Sequence, residues 1–452
     1  MSRPTLLTGW GRTAPTAARV VRPRTVQEAA RALADAGPRG ALPRGLGRSY
    51  GDAAQAAGGT VLDCTGLAGP PRLNVRRGEF TAPAGTSMGA ILTHLLRHGY
   101  VVPAVPGTGH VTLGGAIAAD VHGKNHHADS SLGAHVRSLT LLTPTGDLRR
   151  LGPDGPDPEL FWATVGGMGL TGVVTEATLG VFPVETAHAL VDTDRTADLD
   201  ATLALMERTD HTRPYAVCWV DLLARGGSLG RGVLTRARHA RAADLPAPLR
   251  RAPLRHRPPA ALAAPPWAPP GLLNRWSAAA FNAARHRAAP RRERGRAQPL
   301  GGFFHPLDAV RGWNRMYGPR GFVQYQFVVP FGEEDTLRAV AEGLARAGAP
   351  SFLAVLKRMG APTPGPLSFP LPGWTLALDL PAGTPGLARL LDGFDQRVLA
   401  AGGRVYLAKD SRARAETVHA MYPELPAWRA ARSRADPDGV LVSDLARRLR
   451  LV

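Results

Sequence analysis

The stretch LPRGLGRSYGDAAQ at residues 42–55, read with PGTGHVTLGGAIAADVHGKNHH at residues 106–127, decides the fold. Each segment sets several glycines where the chain must turn sharply and bring its backbone N–H groups close to an anion, which side chains would hold too far away. The two loops lie about sixty residues apart and carry Arg48, Tyr50, His122 and Lys124. That spacing predicts one large nucleotide cofactor lying across both.

Around these loops the first third alternates helix and strand. Residues 25–36 (TVQEAARALADA) and 87–98 (SMGAILTHLLRH) have helical spacing, with Thr25 and Ser87 as N-caps. Strands are predicted at 41–43, 60–63, 79–82, 136–142 and 172–182, and a short helix at 159–165. Further on, strong strand patterns at 215–223, 321–330, 351–357 and 374–380 accompany a helix at 334–347, and the tail opens with a strand at 404–408. The pattern is α+β rather than strict βαβ. At 452 residues the chain exceeds one ordinary core, so two domains are expected. Residues 1–185 form the cofactor domain, 186–402 a substrate domain on an antiparallel sheet flanked by helices, and 403–452 a tail packing back on the first. Residues 240–298, dense in Arg, Ala and Pro, read as a flexible lid.

The net charge of +19 rests almost wholly on arginine, which supplies 52 of the 55 basic residues. No basic region interleaved with aromatics occurs, which argues against nucleic acid. Two cysteines, Cys64 and Cys218, make neither a disulfide framework nor a CxxC site, so a reducing compartment is expected. Residues 1–10 lack the apolar core of a signal peptide, and no stretch approaches the ~20 apolar residues of a spanning helix. A soluble cytoplasmic protein is expected, with room for peripheral attachment to a membrane through its substrate. The cluster His122, His126, His127 and His135 matches no HExxH or Cys/His spacing, so no metal is expected.

The strings PRGLGRSYGDAA, GGAIAADVHGKNHH, ELFWATVGGMGLTGVV (159–174) and YLAKDSR (406–412) resemble the vanillyl-alcohol-oxidase-type (PCMH-type) FAD oxidoreductases. The likeness continues through FFHPLD (303–308), WNRMYGPRGFVQYQF (313–327), PLSFPLPGW (366–374) and AETVHAMYP (415–423), and is weakest across 240–298. It is strongest to the branch acting on polyprenyl-phosphate sugars. The resemblance implies that Pro43, Arg44, Gly45, Leu46, Gly47, Arg48, Ser49, Tyr50, Gly51, Asp52 and Ala53, with Gly107, Thr112, Leu113, Gly114 and Gly115, hold the FAD pyrophosphate and adenosine. Ala119, Asp120, Val121, His122, Val174 and Tyr406 would line the flavin. Many relatives attach FAD through a histidine in the first loop, where this chain has Arg48. A guanidinium is always protonated and pairs with phosphate instead, so non-covalent FAD is expected.

The three lysines, Lys124, Lys357 and Lys409, each fall within a family-like motif. In an arginine-rich chain they mark places that need a compact ammonium with a movable pKa. Lys409 is expected to make the catalytic contact, as a fixed cation or as a base, with Tyr50 and His122 beside it. Gln324 and Gln326 alternate with apolar residues, so period two puts both amides on one sheet face. With Lys124, Lys357 and Trp219 they are the expected substrate contacts. Two departures from the family, Ala377 for a usual cysteine and Phe304 for a usual tyrosine, are expected to alter the pocket wall. The implied reaction takes a secondary hydroxyl of a phosphorylated sugar to a ketone, with an NAD(P)H-dependent reductase as partner to complete an epimerisation. An alditol or sugar-lactone oxidase acting on a free polyol keeps the chemistry and changes the substrate. A non-catalytic basic binding protein is the reading from another class.

Overall fold

A computed structural model describes residues 3–256, 262–265, 269 and 271–452. Mixed helices and sheets confirm an α+β chain. Three sheets carry it. The first has four strands in the order Thr5–Leu7, Thr16–Val21, Thr60–Asp63, Ala41–Arg44, the last three parallel. Helix Val26–Ala34 crosses between strands, with the Thr25 hydroxyl accepting from the Glu28 amide at its N-terminus. The second sheet is antiparallel with five strands: Arg72–Asn74, Glu79–Pro83, Val173–Gly180, Val136–Leu142 and Leu148–Leu151. Helices Met88–Arg97 and Leu113–Ala118 bury Ile91, Leu92, Leu95, Leu113 and Ile117 in the core that they share with it.

The third sheet has eight strands, all antiparallel: Arg292–Pro299, His188–Thr196, Gly232–His239, Tyr215–Val220, Ala354–Met359, Gly373–Pro381, Phe322–Pro330 and Arg404–Val405. Its two faces follow from period-two alternation. Cys218, Leu234, Leu356, Leu376, Leu378, Tyr325 and Phe327 share one core with Leu203, Met206, Leu337, Leu344, Leu391 and Phe394 of three helices, Leu199–Thr209, Glu334–Ala347 and Leu387–Ala400. Truncating one of these leucines to alanine should cost ~2–5 kcal/mol. The alternate residues, Gln324, Gln326, Ala377 and Val355, look the other way, into a cavity.

The tail lies against the first part of the chain. Arg448 makes two 2.8 Å contacts to Asp52 and one of 2.9 Å to Asp410, and the Trp428 indole donates to the Ala163 carbonyl at 3.0 Å. Two expectations need correction. The strand expected at 404–408 covers only Arg404–Val405, after which the chain turns, the Lys409 amide donating to the Tyr406 carbonyl at 2.9 Å. Lys409 therefore sits on a turn, not a strand. The region 240–298, expected as a loop, contains helix Arg275–Ala288 and part of edge strand Arg292–Pro299. Asn274 caps that helix, and its buried Asn282 donates to Asp221 and to the Ser351 carbonyl. Alanine and arginine both have high helix propensity, and no proline falls between Arg275 and Ala289. Residues 257–261, 266–268 and 270 of the expected lid lie outside the described residues.

Candidate active site

An open-mouthed cavity of about 330 Å³ separates the glycine loops from the inner face of the eight-stranded sheet. One wall is backbone. A Cβ on Gly45 would lie 2.2 Å from the Thr112 hydroxyl, so the absence of a side chain is what lets the two loops meet. Gly47 has φ +63°, which glycine adopts without strain. The amides of residues 45–49 find no acceptor among the described residues. Unspent donors in a turn suit an anionic ligand.

Pro43, Arg44, Gly45, Leu46, Gly47, Arg48, Ser49, Tyr50, Ala53, Gly107, Thr112, Gly114, Gly115, Ala119, Val121, His122, Val174 and Tyr406 all line this cavity. Gly51, Asp52, Leu113 and Asp120 do not, and each has a structural task instead. Gly51 allows the Asp410 carbonyl to approach, because a Cβ would lie 2.0 Å from it. Asp52 pairs with Arg448, Leu113 is wholly buried in the core, and Asp120 accepts from the Gly133 amide, Thr363 and Ser368 at 2.6–2.9 Å. Arg44 reaches the cavity but spends its guanidinium on the Ala54 and Thr8 carbonyls, bracing the loop. Arg48 is different. It lies 3.8 Å over the Trp10 ring, and its buried Nε has no partner among the described residues. Tight turns, unspent amides and a half-buried guanidinium whose Nε is unpartnered among the described residues fit the pyrophosphate of FAD.

The facing wall is made of side chains. Gln324 and Gln326 both reach it, confirming that they share a face. The register places Gln326 opposite Ala377 and Gln324 opposite Asp379, with Ala377 opposite Val355 and Thr375 opposite Lys357. The Gln326 amide donates to His122 Nε2 at 3.0 Å and to Thr375 at 3.2 Å. That fixes the remaining proton of neutral His122 on Nδ1, which has no partner among the described residues. Burial holds His122 well below the usual histidine range, helped by Lys357, His126 and Lys409. Tyr406 donates from its hydroxyl to the Ala119 carbonyl at 2.6 Å and stacks on Phe369, which pins the chain entering His122.

Three titratable groups dominate this wall. Lys357 donates to the Gly123 carbonyl at 3.3 Å, and burial, then Lys409 and Lys124, push it down to about 7. Lys409 places its Nζ 3.9 Å from the centre of the Tyr50 ring. Burial lowers Lys409, while the charge of Asp379 pulls it back up. Asp379 is fully buried, accepts from Gln324, and is raised by burial. Tyr50 is held by its backbone N–H, which donates to the Ala408 carbonyl at 3.0 Å, and by an edge contact with Phe322; burial raises its phenol well above the usual value. An amine driven toward its neutral form on a cavity wall can exchange a proton with a hydroxyl beside it.

Not every expected substrate residue arrives. Lys124 lies outside the cavity lining, with its ammonium on the Phe303 carbonyl and ring, pushed down to about 8 by burial. Trp219 is on the right sheet face but one strand beyond the wall, its indole donating to the Phe352 carbonyl at 3.1 Å. Ala377 lines the cavity, whereas Phe304 is packed in the core against Tyr215, so the expectation that it alters the pocket wall is corrected. Asp379 was missed. Its signal was present in WTLALDL, where an acid follows the period of Thr375 and Ala377 in an otherwise apolar strand.

Residues 17–152 match the FAD binding domain family, and residues 383–449 match the D-arabinono-1,4-lactone oxidase family. The chain is 44% identical to decaprenylphosphoryl-beta-D-ribose oxidase of Mycolicibacterium smegmatis over 99% of its own length and 97% of that protein's. It is 27% identical to alditol oxidase of a Streptomyces species over 40% of this chain and 42% of that one. Against cytokinin dehydrogenase 7 of Oryza sativa it is 32% identical over 31% and 28%. Among the described residues no helix is long and apolar enough to cross a membrane. The chain belongs to the PCMH-type FAD oxidoreductases, in the family of decaprenylphosphoryl-beta-D-ribose oxidase, and is an FAD-dependent oxidoreductase.

Proposed function

We propose that this enzyme oxidises the secondary hydroxyl of a polyprenyl-phosphate sugar, such as decaprenylphosphoryl-β-D-ribose, to the keto sugar. The observation that carries this reading is the cluster of Lys357, Lys409, Gln324 and Gln326 in the same cavity as the glycine loops, with the buried Asp379 bonded to Gln324. The near full-length similarity to decaprenylphosphoryl-beta-D-ribose oxidase supports the substrate class. FAD, when bound, supplies the acceptor for the hydride that leaves the carbinol carbon. Residues 45–49 and Arg48 hold its pyrophosphate without a covalent bond, and Ala119, Val121, His122, Val174 and Tyr406 line the flavin.

The chain's own residues handle the proton and the charge. Lys409 Nζ, kept toward its free amine by burial, takes the hydroxyl proton, and Asp379 balances the ammonium that results. Lys357, as an ammonium, holds the substrate phosphate, while the Gln324 and Gln326 amides orient the sugar hydroxyls. His122 Nδ1–H is a fixed donor into the cavity, and Tyr50 supports Lys409 from below. We take residues 1–185 as the FAD unit, 186–402 as the substrate unit and 403–452 as the closing segment. Inverting the carbinol centre then needs an NAD(P)H-dependent reductase as partner.

Anaerobic mixing of the flavin-loaded enzyme with a polyprenyl-phosphate pentose should bleach the flavin band at roughly 450 nm. Bleaching by free polyols, with none by the lipid-linked sugar, would move the reading to an alditol or sugar-lactone oxidase.

A further inference from the structure

We infer that the exposed face of helix Arg275–Ala288 is a docking surface for an anionic lipid bilayer, set at the rim of the active-site cavity. The helix has two unlike faces. Ala278 and Asn282 are buried, Asn282 bonding to Asp221 and the Ser351 carbonyl, and Arg285 lies 5.1 Å from the centre of the Trp219 ring. This inner stripe fastens the helix to the sheet. The outer side shows Trp276 at 72% exposure; Phe281, about 140° round the helix, is 48% exposed on the flank that meets Phe352, and Leu272 is exposed just before the helix. Most folded proteins do not leave a tryptophan so bare, and an indole beside arginines is the pattern of a helix lying in a membrane interface.

Charge points the same way. Residues 271–299 contain seven arginines against a single acid, Glu293. Arg294 is committed to Asp194 and Arg296 sits 3.7 Å from Glu293, but Arg275 and Arg287 have no carboxylate partner among the described residues. A bare indole beside guanidinium groups that lack carboxylate partners complements anionic headgroups over an apolar interior.

Position ties the surface to the site. Phe281 meets Phe352 edge-on at 5.9 Å, Phe352 stacks on Tyr317, Tyr317 on Phe322 at 4.2 Å, and Phe322 touches Tyr50. The ring series runs from the exposed helix to the residue beneath Lys409. A second apolar projection flanks the rim: Leu262 and Val310, both exposed, pair in a short parallel ladder, and Val310 lies between the cavity residues Leu307 and Trp313. This inference rests on the proposed function, because a polyprenyl tail resides in the bilayer and its sugar must be taken up there.

The test uses the flavin-loaded full chain, without substrate, so that its outcome is independent of turnover. Sedimentation with phosphatidylcholine vesicles is compared with sedimentation with vesicles containing phosphatidylglycerol. We expect binding to the anionic vesicles, weakened by salt, and at least tenfold weaker in Trp276→Ser and in Arg287→Gln, with bound flavin unchanged in both variants. No binding by the parent, or equal binding by Trp276→Ser, overturns the inference. A dimer that Trp276→Ser dissolves, with no vesicle binding, overturns it in favour of a self-interface. A parent that binds vesicles yet is bleached only by free polyols keeps the docking surface and fails the substrate reading instead.

Discussion

The two walls of the cavity are built on opposite principles. The loop wall is backbone: glycines, unspent amides and one stacked guanidinium, whose charge does not change near neutral pH. The sheet wall is side chain: Lys357 and two glutamines on strands locked in antiparallel register, Lys409 on the turn after the last strand, and Asp379 buried beside Gln324. The first wall suits a ligand of fixed shape and charge, because backbone donors cannot be retuned. The second suits chemistry, because burial shifts its amines and its acid toward neutrality, where protons move at modest cost. Substitutions on the sheet wall should therefore change rates and pH profiles, and those on the loop wall should change cofactor affinity.

Lys409→Ala should show the largest effect. The protein should stay folded and yellow, while flavin bleaching slows by ~10²–10³, comparable to loss of one preorganised polar group at a reacting centre. Lys409→Arg should recover little, since a planar fork does not replace a compact amine over Tyr50. Rapid anaerobic mixing measures this. A rate within about threefold of the parent would remove Lys409 from the chemistry and blur the distinction between the walls.

Asp379→Asn comes next, with bleaching slowed about tenfold to a hundredfold because the ammonium on Lys409 loses its counter-charge. The sign of the pH effect is the sharper readout. Asp379 raises Lys409, so its removal lowers Lys409 further, and the acid limb of the pH profile moves to lower pH. An acid limb that stays in place would show that the two groups do not share a proton.

Lys357→Met should cost about tenfold in kcat/KM, chiefly through KM, since it removes a phosphate contact rather than a proton acceptor. Lys357 is pushed down to about 7, so its ammonium is present below that pH and lost above it. The parent's kcat/KM, which reports the free enzyme, should fall on the alkaline side of about pH 7, and Lys357→Met should lose that limb. In Lys409→Ala the limb should move to higher pH, because Lys409 is one of the charges that hold Lys357 down.

The contrast also explains what could be read before the structure. The loop wall is local in sequence: glycine spacing within 42–55 and 106–127 encodes turns that need no distant partner, and most of the residues expected there do line the cavity. Two of its four failures, Asp52 and Asp120, are polar residues whose partners, Arg448, Thr363 and Ser368, come from far along the chain. The sheet wall is non-local. Alternation put Gln324 and Gln326 on one face, but only the register sets Asp379 opposite Gln324 and leaves Trp219 a strand outside the cavity. Helix Arg275–Ala288 was obscured for a different reason, because proline and arginine around it suggest disorder while its anchoring through Asn282 is tertiary.

Arg48 offers the smallest and most local test. It occupies the loop position where relatives with a bonded flavin carry histidine, and it lies 3.8 Å over Trp10 with its Nε unpartnered among the described residues. If it pairs with the FAD pyrophosphate, Arg48→Ala should weaken FAD binding about fivefold, ~1 kcal/mol, the size of one partly exposed cation–π or charge-assisted contact. Arg48→Lys should recover part, since a point charge still attracts phosphate without the stacked plane. Fluorescence titration of the flavin-free protein with FAD measures the affinity. Denaturing the parent should release all of its flavin as free FAD, because a guanidinium is no nucleophile. Flavin fluorescence retained on the denatured polypeptide would place the bond elsewhere, with His122 the first residue to examine, and unchanged affinity in Arg48→Ala would leave the phosphate to the amides of residues 45–49 alone.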